Sequence, residues 1–166
     1  MSPPSHSPRQ PGSNTMPDTS SDTGQVDVRG PRFSAWVTTA VLAAVLLTFE
    51  VSPAGATVLL AGQAVAFAIG AVSGPRRHPY GVLFARLLAP RLSPASAREP
   101  VAPLKFAQLV GLVFALIGLA GFAAAPVVGI IATTVALAAA FLNAAFGICL
   151  ACQLYPLVVR LRPTAA

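Results

Sequence analysis

No acidic or basic residue interrupts the chain between Val127 and Val159. As one straight helix at 1.5 Å per residue this run would be ~50 Å long, against a bilayer hydrocarbon core of ~30 Å. It therefore either tilts strongly or ends as a span near Gly147, leaving CLACQLYPLVV as an interfacial segment with Pro156 at a break or kink. Three further apolar stretches precede it: 34–50, 55–74 and 105–124. The last span covers 128–150 or extends somewhat beyond. Each of the longer stretches approaches the ~20 residues that a transmembrane helix needs. A hydrophobic fraction of 55% with only 10% charged residues agrees with an integral membrane protein rather than a soluble domain.

The sequence reads as an all-α fold: a four-helix transmembrane bundle with a cytoplasmic amphipathic helix and a disordered N-terminal tail. Residues 1–25 form that tail, rich in Pro, Ser, Thr and Gly and without an apolar run to bury. No signal-peptide core precedes Phe33, and Met16 is as acceptable a start as Met1. Residues 26–162 form the four-span membrane domain. In the central loop, PYGVLFARLLAPRL sets Leu83 with Leu87, and Phe84 with Leu88, at helical spacing beside Arg86 and Arg91, the pattern of a short interfacial helix.

The formal net charge is +6. The basic residues interrupt apolar spans and form no continuous basic face, so nucleic acid is not an expected partner. Neither Glu50–Ala54 nor the link near Pro126 contains Lys or Arg. The basic residues gather in the N-terminal segment, the central loop with Lys105, and the C-terminus. By the positive-inside rule, both termini and the loop face the cytoplasm in a multi-pass protein of the inner (plasma) membrane.

The only two cysteines are Cys149 and Cys152. A Cys-x-x-Cys pair can cycle between dithiol and disulfide, carry sulfur as a persulfide, or supply two ligands to a soft metal. A redox role wants the first cysteine at a helix N-terminus, where the dipole stabilises thiolate. That requires the helix to restart after Gly147, or requires a positive field from Arg76, Arg77, His78 or Arg160. Alternatively the cysteines are small residues that pack between helices. Two thiols with His78 are too few ligands for a closed metal site within one chain, so no metal is assigned, and no other cofactor is evident. Asn143 is placed beside the pair as a supporting residue. Gln63, Gln108 and Asn143 are the polar residues inside spans, with interhelical hydrogen bonding as their ordinary role. Gly70 and Gly74 match the GxxxG packing pattern. Paired carboxylates are missing, since Glu50 and Glu99 fall on opposite membrane sides. No phosphate-binding glycine loop or hydrolase constellation occurs.

The stretches DVRGPRF (27–33), GPRRHPYGVLFARLLAPRL (74–92), EPVAPLKFAQLVGLVF (99–114) and NAAFGICLACQLY (143–155) resemble the domain of unknown function 4395 family, small and largely actinobacterial membrane proteins. The last stretch is the most specific, combining Asn143, Gly147, both cysteines and Tyr155. The resemblance implies an integral membrane protein without an assigned reaction, associated with thioredoxin-like and sulfurtransferase-type proteins. The family pattern looks like Cys-Leu-Gly-Cys followed by Glu, where this chain has Ala151 and Gln153. The leading expectation is a thiol–disulfide or sulfur-transfer component working through Cys149 and Cys152. Cys149 is the attacking thiol, Arg76, Arg77 and His78 tune it, and a thioredoxin-like or sulfurtransferase protein docks from the cytoplasm. The competing expectations are a scaffold or assembly subunit, possible as a homo-oligomer in the bilayer, and a small-solute transporter. Transport is disfavoured by the absence of charge within the spans.

Overall fold

The computed structural model describes residues 24–92 and 97–161. Punctuation in the sequence sets most helix boundaries. Helix α1 (Arg29–Phe49) ends in a tight turn in which Ser52 N–H donates to the Thr48 carbonyl at 2.7 Å. Ser52 then caps α2 (Pro53–Ser73), its Oγ accepting the Gly55 N–H at 3.1 Å, with Pro53 at the first helical position. Gly74, at φ 80°, closes α2. Helix α3 (Pro79–Leu87) follows and runs into a 3-10 turn at Ala89–Arg91. Helix α4 (Val101–Ala124) and α5 (Pro126–Phe146) are separated by Ala125 alone. A last helix, α6, covers Leu150–Leu161.

Helices α1, α2, α4 and α5 are each long and apolar enough to cross a membrane, with mean hydropathies of 1.6, 1.8, 2.2 and 2.1. The fold is thus an all-α transmembrane bundle, and the chain is an integral membrane protein. Helices α1 and α4 begin earlier than hydropathy suggests, at Arg29 and Val101 rather than near 34 and 105. Pro31 and Pro103 lie in the first turns, where an N–H has no helical partner to lose, so helix continues through both prolines. The tail expected at 1–25 falls almost wholly outside the described residues, as do Met16 and Arg162.

One small element is additional to the sequence expectation. Strands β1 (Gln25–Asp27) and β2 (Arg98–Pro100) pair antiparallel, with Val26 opposite Glu99. Flanking bonds run from Val28 N–H to the Ala97 carbonyl and from Val101 N–H to the Gly24 carbonyl. This clasp holds the start of α1 beside the start of α4.

The two short links leave one end of the bundle with only tight turns. The other end carries the clasp, α3, α6 and every described Lys and Arg. Packing differs between the ends. From the short links to mid-bundle, Leu42, Val45, Ala56, Leu60, Ala64, Phe67 and Ala115 form the core, and Phe49 stacks on Phe122 with centroids 4.6 Å apart. There α4 and α5 approach to backbone contact: a Cβ on Gly121 would collide with the Gly129 backbone and reach the Val128 carbonyl carbon at 3.1 Å. Lipid tails are as apolar as Leu, so helix association depends on such close contact rather than on expulsion of water. At the other end, α3 buries Phe84 over Gly30 and against Phe33 (5.8 Å) while exposing Leu83 and Leu87.

Gly121→Val is expected to destabilise the folded protein in detergent by about 2 kcal/mol or more, because the crossing has no room for a side chain. Gly62→Ala, where a Cβ meets nothing within 4 Å, is expected to hold or raise the thermal midpoint. Equal midpoints for the two variants would show that the close crossing does not form.

Candidate functional site

Helix α5 ends because Gly147 takes the left-handed conformation at φ 70°. Its N–H donates to the Asn143 carbonyl at 3.0 Å, and the Ile148 N–H donates to the Leu142 carbonyl at 3.4 Å. These bonds satisfy the last carbonyls of α5 and turn the chain. Arg32, from the first turns of α1, completes the closure. Its Nη2 donates to the carbonyls of Ala144 and Ala145 at 3.4 and 3.3 Å, placing a positive charge at the negative end of α5.

The chain re-enters helix at Leu150, so Cys149 sits at the N-terminus of α6. Its carbonyl accepts the Gln153 N–H at 3.1 Å, and its Sγ accepts the Cys152 N–H at 3.3 Å. This is the position that a serine or aspartate cap usually holds. Cys149 and Cys152 are joined in a disulfide, their Cα atoms 5.2 Å apart. The Cys152 sulfur lies 3.7 Å from the Pro103 carbonyl oxygen on α4, which a reduced Cys152 thiol can use as a hydrogen-bond acceptor. Tyr155, one turn further along α6, packs on Phe106 of α4 with centroids 5.8 Å apart and so fixes the roll of α6. Leu154, Leu157 and Leu161 stay exposed on its other side.

Beside Cys149, where the bundle opens, lies a cavity of about 140 Å³ between α1, α2, α4 and α5. Phe67, Phe114 and several alanines make most of its wall; Ser34, Thr38, His78, Gln108 and Asn143 contribute the polar part. Gly70 permits this arrangement. A Cβ there would come within 2.7 Å of His78 Cδ2 and 2.9 Å of Gln108 Cγ. The GxxxG pair therefore serves a close side-chain approach at Gly70 and a helix end at Gly74.

His78 is almost fully buried, 1% exposed. Its Nδ1 accepts the Tyr80 N–H at 3.3 Å, which leaves the proton of the neutral ring on Nε2. Burial lowers its pKa from 6.5 to about 4, so it is uncharged at neutral pH and is no source of positive field for a thiolate. Neither His78 Nε2 nor Gln108 Oε1 has a hydrogen-bond partner among the described residues, although both atoms are buried. Gln63 is the contrasting case. It receives the Tyr80 hydroxyl on Oε1 at 2.8 Å and donates from Nε2 to Thr38 at 3.5 Å, tying α2 to α3 and α1. Burial raises the Tyr80 pKa, which keeps that hydroxyl a donor.

Of the residues singled out from sequence, Cys149, Asn143, His78 and Gln108 share the cavity. Cys152 and Tyr155 face α4. Arg76 donates to the Gln25 carbonyl at 3.0 Å and lines a neighbouring cavity of about 440 Å³ with Asp27 and Arg98, whereas Arg77 lines neither cavity. The two cavities share Pro31, Ser34 and Pro75. Sequence reasoning missed Arg32 as the charge next to the break. Glu99 also feels it: burial raises the carboxyl pKa and the Arg32 charge pulls it back down.

The family described as Domain of unknown function (DUF4395) matches residues 26–160, and the chain belongs to it. No curated protein and no solved structure matches the chain.

The buried His78 makes a pH prediction. With its pKa lowered by folding, its contribution to stability is complete above pH 6.5 and is lost as pH falls toward 4. Relative to His78→Phe, the wild type is expected to lose up to about 3 kcal/mol across that window, read from paired thermal midpoints. Parallel pH profiles would mean that His78 is solvated.

Proposed function

We propose that this member of a family without an assigned reaction is a membrane thiol–disulfide exchange component with Cys149 and Cys152 as its working pair. The observation that carries the reading is the placement of Cys149 Sγ at the N-terminus of α6, where it accepts the Cys152 N–H. A thiolate there is stabilised by the helix dipole and by that donor. Cys149 is the attacking thiol. Its thiolate displaces one sulfur of a partner disulfide and forms a mixed disulfide, and the partner leaves with its first sulfur as thiolate. Cys152 then attacks Cys149 Sγ, restoring the intramolecular disulfide and releasing the partner as a dithiol. The overall exchange moves two electrons from this pair to the partner, and it runs equally in reverse.

The partner class that fits is a thioredoxin-like or sulfurtransferase-type protein approaching the end that carries α3, α6 and the basic residues. By the positive-inside rule that end is cytoplasmic, with both termini, in a multi-pass plasma-membrane protein. The half-buried position of Cys152 against Pro103 also suits a scaffold whose cysteines only pack, and the two readings separate on reactivity.

With the reduced protein in lipid nanodiscs, Cys152→Ser is expected to trap a mixed disulfide through Cys149. Cys149→Ser should react about tenfold more slowly with the same disulfide reagent, since Cys152 lacks the capping position and its N–H donor and is half-buried against Pro103. Equal rates would remove the assignment of Cys149 as the attacking thiol. Unreactive thiols in a folded, reduced protein would leave the scaffold.

A further inference from the structure

The cavity beside Cys149 has features that packing does not explain. Interior polar groups are nearly always paired, and an unpaired one costs about 1–3 kcal/mol. Here a buried donor, His78 Nε2–H, and a buried acceptor, Gln108 Oε1, are both without partners, and their side chains converge over Gly70. Both residues line the same cavity as Cys149. A volume of about 140 Å³ is roughly tenfold more than a single bridging water requires. The wall is largely apolar and includes the rings of Phe67 and Phe114, which suits a flat, apolar ligand arriving from the lipid.

The ligand must match a donor and an acceptor in an apolar slot next to a redox-capable pair. The quinol form of a quinone head group matches both, and the oxidised form matches the donor. Its carbonyl oxygen accepts from a donor such as His78 Nε2–H, and the quinol O–H donates to an acceptor such as Gln108 Oε1. We propose that this cavity binds the head group of a membrane quinone, which takes two electrons and two protons from Cys149 and Cys152. The two S–H bonds break and the S–S bond forms; the quinone carbonyl oxygens gain the protons and the ring gains the electron pair, giving the quinol. The cavity is too small for an isoprenoid tail, which stays in the lipid. This inference rests on the reading of the pair as a redox dithiol and supplies its lipid-side oxidant.

The test uses the full chain in nanodiscs with two probes, ubiquinone-1 and menadione, each also in its quinol form held reduced without air. Binding is measured by equilibrium dialysis on a Cys149→Ser/Cys152→Ser double variant, so that it does not depend on thiol chemistry. Saturable binding of both forms with one site per chain is expected; in the same background His78→Phe weakens both about tenfold, and Gln108→Met weakens the quinol about tenfold. Gln108→Met keeps the proposal falsifiable if His78→Phe, which loses the α3 cap, fails to fold; Oε1 has no partner to lose, so that variant should retain the wild-type thermal midpoint. In the reduced wild type, two thiols should disappear per quinone reduced. No saturable binding by folded protein would overturn the proposal and mean a cavity holding only water. So would quinol binding that Gln108→Met leaves unchanged, or bound quinone that leaves both thiols intact while the mixed disulfide of Cys152→Ser still forms. That trapping assay reads the thiol-exchange function separately, so failure of the quinone site and failure of the exchange reading give different results.

Discussion

The left-handed turn at Gly147 is the constraint on which the site depends. A residue with a Cβ resists that conformation, and without it the uncharged stretch would run on as a single helix. Cys149 would then lie near the C-terminal end of α5, where the dipole opposes a thiolate. The turn instead converts the same residue into the first position of a new helix. Arg32 stabilises the turn from outside, since its guanidinium serves carbonyls that α5 can no longer pair internally. One glycine and one arginine, far apart in sequence, thus exchange an unfavourable electrostatic setting for a favourable one.

The rest of the bundle makes that turn a stable feature. Tight links and glycine contacts lock the far end, where Gly118, Gly121 and Gly129 bring α4 and α5 together. At the near end the helices are held by other means. The β1–β2 clasp joins the starts of α1 and α4, Phe84 seats α3 on α1, and Tyr155 seats α6 on α4. These connections enclose space without filling it. A bundle packed by glycine contacts along its whole length would have no cavity beside Cys149.

Much of the architecture was legible in the residues themselves. The uncharged spans, Pro53, Gly74 and Pro126 marked the long helices because apolar runs and helix punctuation are local signals. The leucines and Phe84 of the central loop likewise marked α3. Other features depend on contacts that no local pattern encodes. The short strands at Gln25–Asp27 and Arg98–Pro100 carry no alternating apolar signal and pair only because the helices bring them together. Arg32 sits more than a hundred residues from the carbonyls it serves, so its role cannot be read from spacing. Gln63 and Gln108 look alike in sequence, yet one is paired with Tyr80 and Thr38 and the other leaves its oxygen unpaired. Nor does sequence reveal the charge state of His78: in RRHP it resembles part of a basic cluster, but the fold buries its ring against Gly70.

The positions where this chain departs from the Cys-Leu-Gly-Cys-Glu pattern that the resemblance implies can now be placed. Ala151 lies in the first turn of α6 and lines the cavity, where a helix-favouring residue supports the helix that Cys149 begins. A glycine there would loosen that turn and give the two sulfurs more freedom. Gln153 is exposed, and on α6 it points away from the side that Cys152 and Tyr155 present to α4. Replacing a carboxylate at that site removes negative charge from the outer surface of α6 rather than from the cavity wall. Both changes therefore leave the intrinsic chemistry of the pair with Cys149, its helix N-terminus and the cavity. Their effects fall on the stiffness of the turn between the two cysteines and on the charge of the outer surface of α6.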